Sequence, residues 1–144
     1  MLIFSLLNNI AFLFVIYCGF MKLFPSEIEV RYVLPSLRKE ISKRLYKNMP
    51  QKEIADLLDI TPAAVNQYIK NKRGKENIPK PLEIHIDLLT NKILDKRRRE
   101  RSYDKINMTI EFIKLLNVSR NCGYLCYLHK KYDNVSEKCD ICLR

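Results

Sequence analysis

Apolar residues recur every three or four positions along most of this chain, the spacing that places side chains on one face of an α-helix. Only three glycines and no tryptophan occur among its 144 residues, and leucine, isoleucine, lysine and glutamate are plentiful, which favours helices over strands. The pattern therefore predicts an all-α fold. The stripes comprise Val30, Val33, Leu34, Leu37, Ile41 and Leu45, then Leu82, Ile86, Leu89 and Ile93, and then Ile106, Ile110, Phe112, Ile113 and Leu116.

Helix-breaking residues divide this pattern into segments. The first stripe predicts a helix over 27–47, with a kink or break just before Pro35, which cannot continue the hydrogen-bond ladder. Residues 71–81 hold one glycine and two prolines and are interpreted as a linker. The later stripes predict helices over 82–101 and 102–118, which pack either on the first domain or on a second subunit.

Two short helices joined by a tight turn are predicted within residues 51–72, which read QKEIADLLDITPAAVNQYIKNK. Ala55 is small where two crossing helices would touch, and Asp59, four residues on, tolerates the left-handed backbone that such a turn requires. Val65 is a compact apolar residue for the second helix. Together these positions indicate a helix-turn-helix, the motif that places its second helix in the DNA major groove. The other apolar positions of the pair are Ile54, Leu58, Ile60 and Ile69.

The second helix of the pair carries side chains suited to reading base pairs. Thr61 is a favoured N-cap, and Pro62 suits the first helical position. Ala63, Asn66 and Gln67 then share the groove-facing side with Pro62. Asparagine and glutamine can form two hydrogen bonds with adenine, and the alanine methyl can contact the thymine methyl. A helical hairpin that binds nothing is the alternative. Four cations follow, where they would hold phosphates without reading sequence: Lys70, Lys72, Arg73 and Lys75.

This segment resembles the Cro/repressor-like helix-turn-helix family. More narrowly, residues 21–74, which begin MKLFPSEIEVRYVLPSLRKEIS, resemble a group of short archaeal transcriptional regulators with a cysteine-rich C-terminus. The resemblance is specific over that half of the chain and loose beyond it. It implies a lambda-repressor-like domain that binds double-stranded DNA, commonly as a homodimer, and it implies base-reading roles for Pro62, Ala63, Asn66 and Gln67. One departure is Asp59, where the family usually has glycine.

The charge balance favours a polyanionic partner. Lysine and arginine number 26 against 16 aspartate and glutamate residues, which gives a formal net charge of +10, and the pI is about 9.5. DNA, RNA and an anionic membrane surface all fit this excess. The positive residues cluster at 70–75 and at 96–101. The second cluster either contacts phosphates or complements the dipole at a helix C-terminus, and the sequence leaves both interpretations open.

The first twenty residues, MLIFSLLNNIAFLFVIYCGF, contain no charged side chain and match a membrane span in length. They lack the basic start and the cleavage site of a secretory signal. One interpretation is an N-terminal anchor that leaves the remaining chain cytoplasmic. The other is an upstream start codon, with translation beginning at Met21. We favour the second, because the family resemblance begins at Met21, and we therefore expect a cytoplasmic, DNA-associated protein.

Four cysteines near the C-terminus have the spacing of a metal site. Cys122 and Cys126 form a C-x3-C pair, and Cys139 and Cys142 form a C-x2-C pair twelve residues later. Two short turns that carry two thiolates each suit tetrahedral zinc, which would stabilise a tail too short to build its own core. An iron–sulfur cluster is the alternative metal centre, and a reversible dithiol or unliganded thiols are the alternatives without metal. His129 either replaces one cysteine as a ligand or lies beside the site.

No glycine-rich phosphate loop, nucleophile elbow or open metal site occurs in the sequence, so we expect neither enzyme activity nor a small-molecule substrate. The sequence predicts a transcriptional regulator with a structural or sensory metal site made of the four cysteines. An RNA-binding or protein-interaction module built on a zinc knuckle is one alternative, with Tyr124, Tyr127 and Tyr132 stacking on bases. A membrane-tethered regulator is the other. The predicted parts are an apolar segment at 1–20, a helix-turn-helix domain at 21–76, a helical linker or dimerisation region at 82–118 and a cysteine-rich tail at 119–144.

Overall fold

The computed structural model describes residues 23–99 and 103–143, and these ranges contain helices and no β-strand. The predicted all-α fold is confirmed at this level. The apolar segment predicted at 1–20 lies outside the described residues. None of the described helices is both long and apolar enough to cross a bilayer. The elements are α1 (Pro25–Ile28), a π-helical turn (Glu29–Val33), α2 (Leu34–Tyr46), α3 (Gln51–Leu58), α4 (Pro62–Ile69), α5 (Lys80–Arg98), α6 (Lys105–Asn121), α7 (Tyr124–Tyr132) and a 3-10 turn (Ile141–Leu143).

The first long helix changes its winding just before a proline. Pro35 has no N–H to donate, and its ring would crowd the carbonyl group one turn earlier. The chain accommodates it with the π-helical turn at Glu29–Val33 and continues as α2, so the predicted break is a widened turn in a continuous helix. The extra residue in that turn rotates the register. As a result Val30, predicted to face inward, is 63% exposed, whereas Ile28 is fully buried.

One apolar cluster extends through the described residues. At its centre, α2 packs against α3, α4 and α5, and its Leu37, Ile41 and Leu45 have no exposed surface. At the other end, α7 packs against α1 and α6 and adds Leu125 and Leu128 to the same cluster. The cysteine-rich segment therefore shares its core with the first helices of the chain.

The segment interpreted as a linker, residues 71–81, is packed against α2. Gly74 adopts a φ of +65° and approaches Pro35 so closely that a β-carbon at this position would lie 2.4 Å from the Pro35 carbonyl oxygen. The buried Lys39 donates a hydrogen bond from Nζ to the Glu76 carbonyl oxygen at 3.1 Å. The segment is thus an ordered connection that contributes to the core rather than a spacer between domains.

The helix α6 turns a different face to the core from the one that the sequence predicts. Its Met108 and Leu115 are buried. Ile106, Ile110 and Ile113, predicted to face inward, are 75%, 44% and 53% exposed, and the other two residues of that stripe are partly buried. The prediction was wrong because α6 must present its opposite side to α5 and α7. The three isoleucines form an exposed apolar stripe at helical spacing.

Candidate functional site

The helices α3 and α4 pack against each other across a three-residue turn from Asp59 to Thr61. Asp59 adopts φ 52° and ψ 48°, the left-handed conformation predicted for this position. The Ile60 amide donates a hydrogen bond to the Ala55 carbonyl oxygen at 3.0 Å, which closes the end of α3. The Oγ1 atom of Thr61 accepts a hydrogen bond from the Ala64 amide at 3.2 Å and caps α4. Local turn chemistry therefore fixes how one helix follows the other.

The interior of this pair contains the small and compact residues that the sequence pattern predicted. Ala55 is 1% exposed and Val65 has no exposed surface. Because Ala55 carries only a methyl group, the two helix axes can approach closely at this point. Ile54, Leu58 and Tyr68 are buried in the same cluster or beside it. The pair thus has one face in the core, and its opposite face is available to solvent.

The four residues predicted to read bases lie on the open face of α4. Pro62 and Ala63 are exposed at its first turn, and Asn66 and Gln67 are half-buried one turn later. Within residues 23–99 and 103–143, the side-chain amides of Asn66 and Gln67 make no hydrogen bond to another side chain or to the backbone. Their donors and acceptors are therefore available to a ligand, whereas the intervening residues of α4 point into the core.

The four cations predicted to hold phosphates follow directly on α4. Lys70 is the C-cap of that helix, and Lys72, Arg73 and Lys75 lie in the segment packed against α2. All four are exposed, and none forms an ion pair with a carboxylate of the described residues. Their charge is therefore available to an external anion. Several cations elsewhere in the described residues are paired with carboxylates, as in Arg44–Asp87, Arg97–Glu53, Lys105–Asp59, Arg120–Glu29 and Lys131–Glu76.

The second cationic run, at the end of α5, is largely engaged within the protein. The Lys96 ammonium group lies 4.6 Å from the centre of the Tyr103 ring. The Nε atom of Arg97 donates a hydrogen bond to a Glu53 carboxylate oxygen at 2.8 Å, and this bond raises the pKa of Arg97. These contacts favour the structural interpretation of the run over phosphate binding. Residues 100–101, which end it, lie outside the described residues.

The first two of the four C-terminal cysteines belong to two different helical elements. Cys122 is the C-cap of α6, it is exposed, and its Sγ lies 3.7 Å from the Ser119 carbonyl oxygen. Gly123, with φ 76°, then turns the chain. Cys126 therefore lies on the next helix, α7, and not on a short turn with Cys122 as the sequence pattern suggested.

His129 lies with the other three cysteines. Its Nδ1 is 3.2 Å from the Sγ of Cys142, and the Sγ of Cys126 is 3.7 Å from the Cys139 carbonyl oxygen. Burial is the main cause that raises the pKa of Cys142 to about 11, and electrostatic interactions with Cys126 and Cys139 act in the same direction. Among the described residues, no three Cys, His, Asp or Glu side chains converge as a ready-made set of metal ligands.

The second ring nitrogen of His129 connects this group to the start of α1. Its Nε2 is 2.8 Å from the Leu23 carbonyl oxygen and 3.6 Å from Asp133 Oδ2. The Leu23 amide donates to that same Asp133 oxygen at 2.8 Å. His129 has only 1% of its surface exposed, so backbone and carboxylate groups of the protein, and not water, are the polar neighbours of its ring. The sequence analysis named His129 only as a possible ligand. Its position three residues after Cys126 already indicated that the two side chains share one helix face.

The aromatic residues near the cysteines are mostly packed. Tyr124 is 5% exposed. Tyr132 stacks on Tyr32, with ring centroids 3.8 Å apart and an interplanar angle of 7°. Tyr127, in contrast, is 60% exposed. Tyr124 is thus buried, Tyr32 covers one face of the 37% exposed Tyr132 ring, and Tyr127 is the most accessible of the three rings named for the RNA-binding alternative.

Comparison of the chain with family models, with curated proteins and with solved structures found no match. Membership of the α3–α4 pair in the Cro/repressor-like family therefore stays a prediction.

Proposed function

We propose that the protein is a DNA-binding transcriptional regulator that places α4 in the major groove. In a helix-turn-helix, residues near the start of the second helix contact base edges. The corresponding residues here are Pro62 and Ala63, followed one turn later by Asn66 and Gln67. The observation that carries the proposal is that the two amide side chains are unbonded on an open helix face directly beside a group of unpaired cations.

In this proposal the two groups of residues have separate tasks. Lys70, Lys72, Arg73 and Lys75 bind phosphates, and they supply affinity and salt dependence for any duplex. Asn66 and Gln67 bond to base edges and supply sequence preference. No bond is made or broken, so the protein acts by occupying its site on the duplex.

The first prediction concerns sequence preference. The double substitution Asn66→Ala/Gln67→Ala should weaken binding to a selected site by at least about thirtyfold, because each two-bond pairing with a base contributes about 1–3 kcal/mol. Binding to random duplex should stay within about threefold, since the phosphate contacts persist. The site is first selected with the wild-type protein from a pool of randomised duplexes, and both affinities are then measured by fluorescence anisotropy.

The matched control removes two amides elsewhere. Asn91 is exposed on α5 and Asn134 in the tail, and Asn91→Ala/Asn134→Ala should leave both affinities unchanged. An equal loss on selected and random DNA in the Asn66/Gln67 variant would contradict base reading. Wild-type protein that prefers single-stranded RNA over duplex DNA in direct competition would favour the RNA-binding alternative instead.

We also propose that the regulator binds DNA as a homodimer through the exposed isoleucine stripe of α6. Two linked half-sites multiply the modest affinity of one helix pair, and a second copy of the stripe would cover apolar surface that the described chain leaves in water.

The second prediction tests this dimer. Ile110→Lys/Ile113→Lys should shift sedimentation from dimer to monomer, because four lysine charges would face one another across a symmetric interface. Val30→Lys, at an apolar position on the π-helical turn that is more exposed than either isoleucine, is the control and should stay dimeric. Wild-type protein that sediments as a monomer, both alone and on a duplex with two half-sites, would refute the dimer and leave the DNA-binding proposal standing.

A further inference from the structure

We infer that Cys126, His129, Cys139 and Cys142 bind one zinc ion, and that Cys122 lies outside the site. With this ligand set the spacing becomes C-x2-H and, after nine residues, C-x2-C. Each pair then spans a single turn of chain, which is the arrangement that tetrahedral zinc sites use. The inference does not depend on DNA binding.

The two halves of this site already touch. Cys126 and His129 are three residues apart on α7, so they project from the same side of the helix. A tetrahedral zinc centre separates a nitrogen ligand from a sulfur ligand by about 3.5 Å, and His129 Nδ1 lies 3.2 Å from Cys142 Sγ. Cys126 Sγ contacts the Cys139 carbonyl oxygen. Zinc binding requires the Cys126 and Cys139 side chains to turn so that their thiolates take the remaining two positions.

The hydrogen bonding of His129 selects the tautomer that a zinc ligand needs. A carbonyl oxygen can only accept, so the 2.8 Å contact with Leu23 places the proton on Nε2. The neutral ring then presents the lone pair of Nδ1 towards Cys142. Histidine ligands of zinc characteristically donate from their second nitrogen to a carbonyl or carboxylate, which orients the ring. This bond is present in the structure.

Cys122 lacks all of these features. It is exposed at the end of α6, its Sγ lies 3.7 Å from the Ser119 carbonyl oxygen of that helix, and Gly123 turns the chain between it and Cys126. Zinc binding by the other three cysteines and a neutral imidazole displaces three thiol protons to solvent and leaves the centre with one net negative charge.

Zinc at this position would join the tail to the beginning of the described chain. Leu23 accepts from His129 through its carbonyl group and donates to Asp133 through its amide. A metal that holds the His129 ring in place would therefore also hold Leu23, which precedes α1. Removal of the metal should make both the tail and the start of α1 less stable.

The experiment measures zinc in the full chain purified under reducing conditions, and then thermal unfolding before and after chelation. Wild type and Cys122→Ser should each hold one zinc per chain, and chelation should lower the Tm of both by at least about 10 °C. Cys142→Ser and His129→Ala should bind at least about tenfold more weakly. Cobalt substituted into the wild-type chain should show the absorption of three thiolates and one imidazole.

His129→Cys serves as the sharper variant. This variant keeps four ligands, all of them thiolates, so its cobalt complex should have a four-thiolate spectrum. It cannot donate a hydrogen bond to the Leu23 carbonyl oxygen, so metal binding should raise its Tm by less than it raises the wild-type Tm. An equal gain would overturn the connection to Leu23. Loss of zinc in Cys122→Ser with retention in His129→Ala would overturn the ligand set in favour of four cysteines. Wild-type chain that is purified without zinc, or with iron and acid-labile sulfide, would overturn the zinc site. The DNA-binding proposal is tested separately by the affinity for duplex DNA.

Discussion

Replacing Gly74 by alanine is expected to lower the free energy of unfolding by about 3 kcal/mol or more, as measured by chemical denaturation. Two costs add at this position. A φ of +65° places any side chain in the left-handed region, which costs roughly 1–2 kcal/mol. The new β-carbon would also lie 2.4 Å from the carbonyl oxygen of Pro35 and 2.9 Å from its carbon. These are backbone atoms beside the π-helical turn, so they cannot move aside without disturbing α2.

Gly123 provides a matched control for this variant. Its φ of +76° imposes a similar backbone cost, but a β-carbon there would meet nothing within 4 Å. Gly123→Ala should therefore lose only about 1–2 kcal/mol. The difference between the two variants isolates the steric contact between the 71–81 segment and α2. Equal losses would mean that this contact is absent in solution and that the segment is a spacer after all.

The effect at Gly74 bears on function as well as on stability. The residue lies between Arg73 and Lys75, so the contact with Pro35 sets where these cations sit relative to α4. A rigid connection keeps charges at fixed positions, which reduces the ordering cost when they bind phosphates. Gly74→Ala that retains its fold should therefore also bind duplex DNA more weakly.

The features that the sequence predicted well are those set by neighbouring residues. The turn between α3 and α4 depends on the left-handed Asp59 and on the Thr61 cap, and both act within a few residues of their position. Ala55 and Val65 followed from the spacing of that turn. Local signals of this kind can be recognised in one sequence because the partners of each group are close along the chain.

The features that the sequence did not predict depend on distant partners. The stripe at Ile106, Ile110 and Ile113 has the periodicity of a core face, but contacts of α6 with α5 and α7 decide which face is buried. Likewise, the C-x3-C spacing suggested that Cys122 and Cys126 share one short turn, whereas Gly123 turns the chain between Cys122 at the end of α6 and Cys126 on α7. The importance of His129 emerges only when Leu23, 106 positions away, is seen to accept its hydrogen bond.

Removing the cations at 70, 72, 73 and 75 is expected to give the largest change in DNA affinity. Each phosphate contact contributes about 0.9 to the slope of the logarithm of the DNA-binding constant against the logarithm of salt concentration. The variant in which all four cations are replaced by glutamine should therefore have a slope that is smaller by about 3 to 4. Near physiological salt this corresponds to roughly a hundredfold to a thousandfold weaker binding of random duplex. The loss should shrink as salt is raised, because the missing term is the release of counterions. Titrations at several salt concentrations measure both quantities.

A matched pair of variants separates local phosphate contacts from the effect of net charge. Lys72→Gln/Arg73→Gln and Lys47→Gln/Lys138→Gln each lower the formal net charge from +10 by two. Lys47 is the C-cap of α2 and Lys138 lies in the tail, and both are exposed. Direct contact with phosphates requires the first pair to lose about 2 units of slope and the second to lose almost none. Equal, small losses in both would indicate a diffuse attraction of the basic protein to DNA, and α4 would then have no privileged position on the duplex.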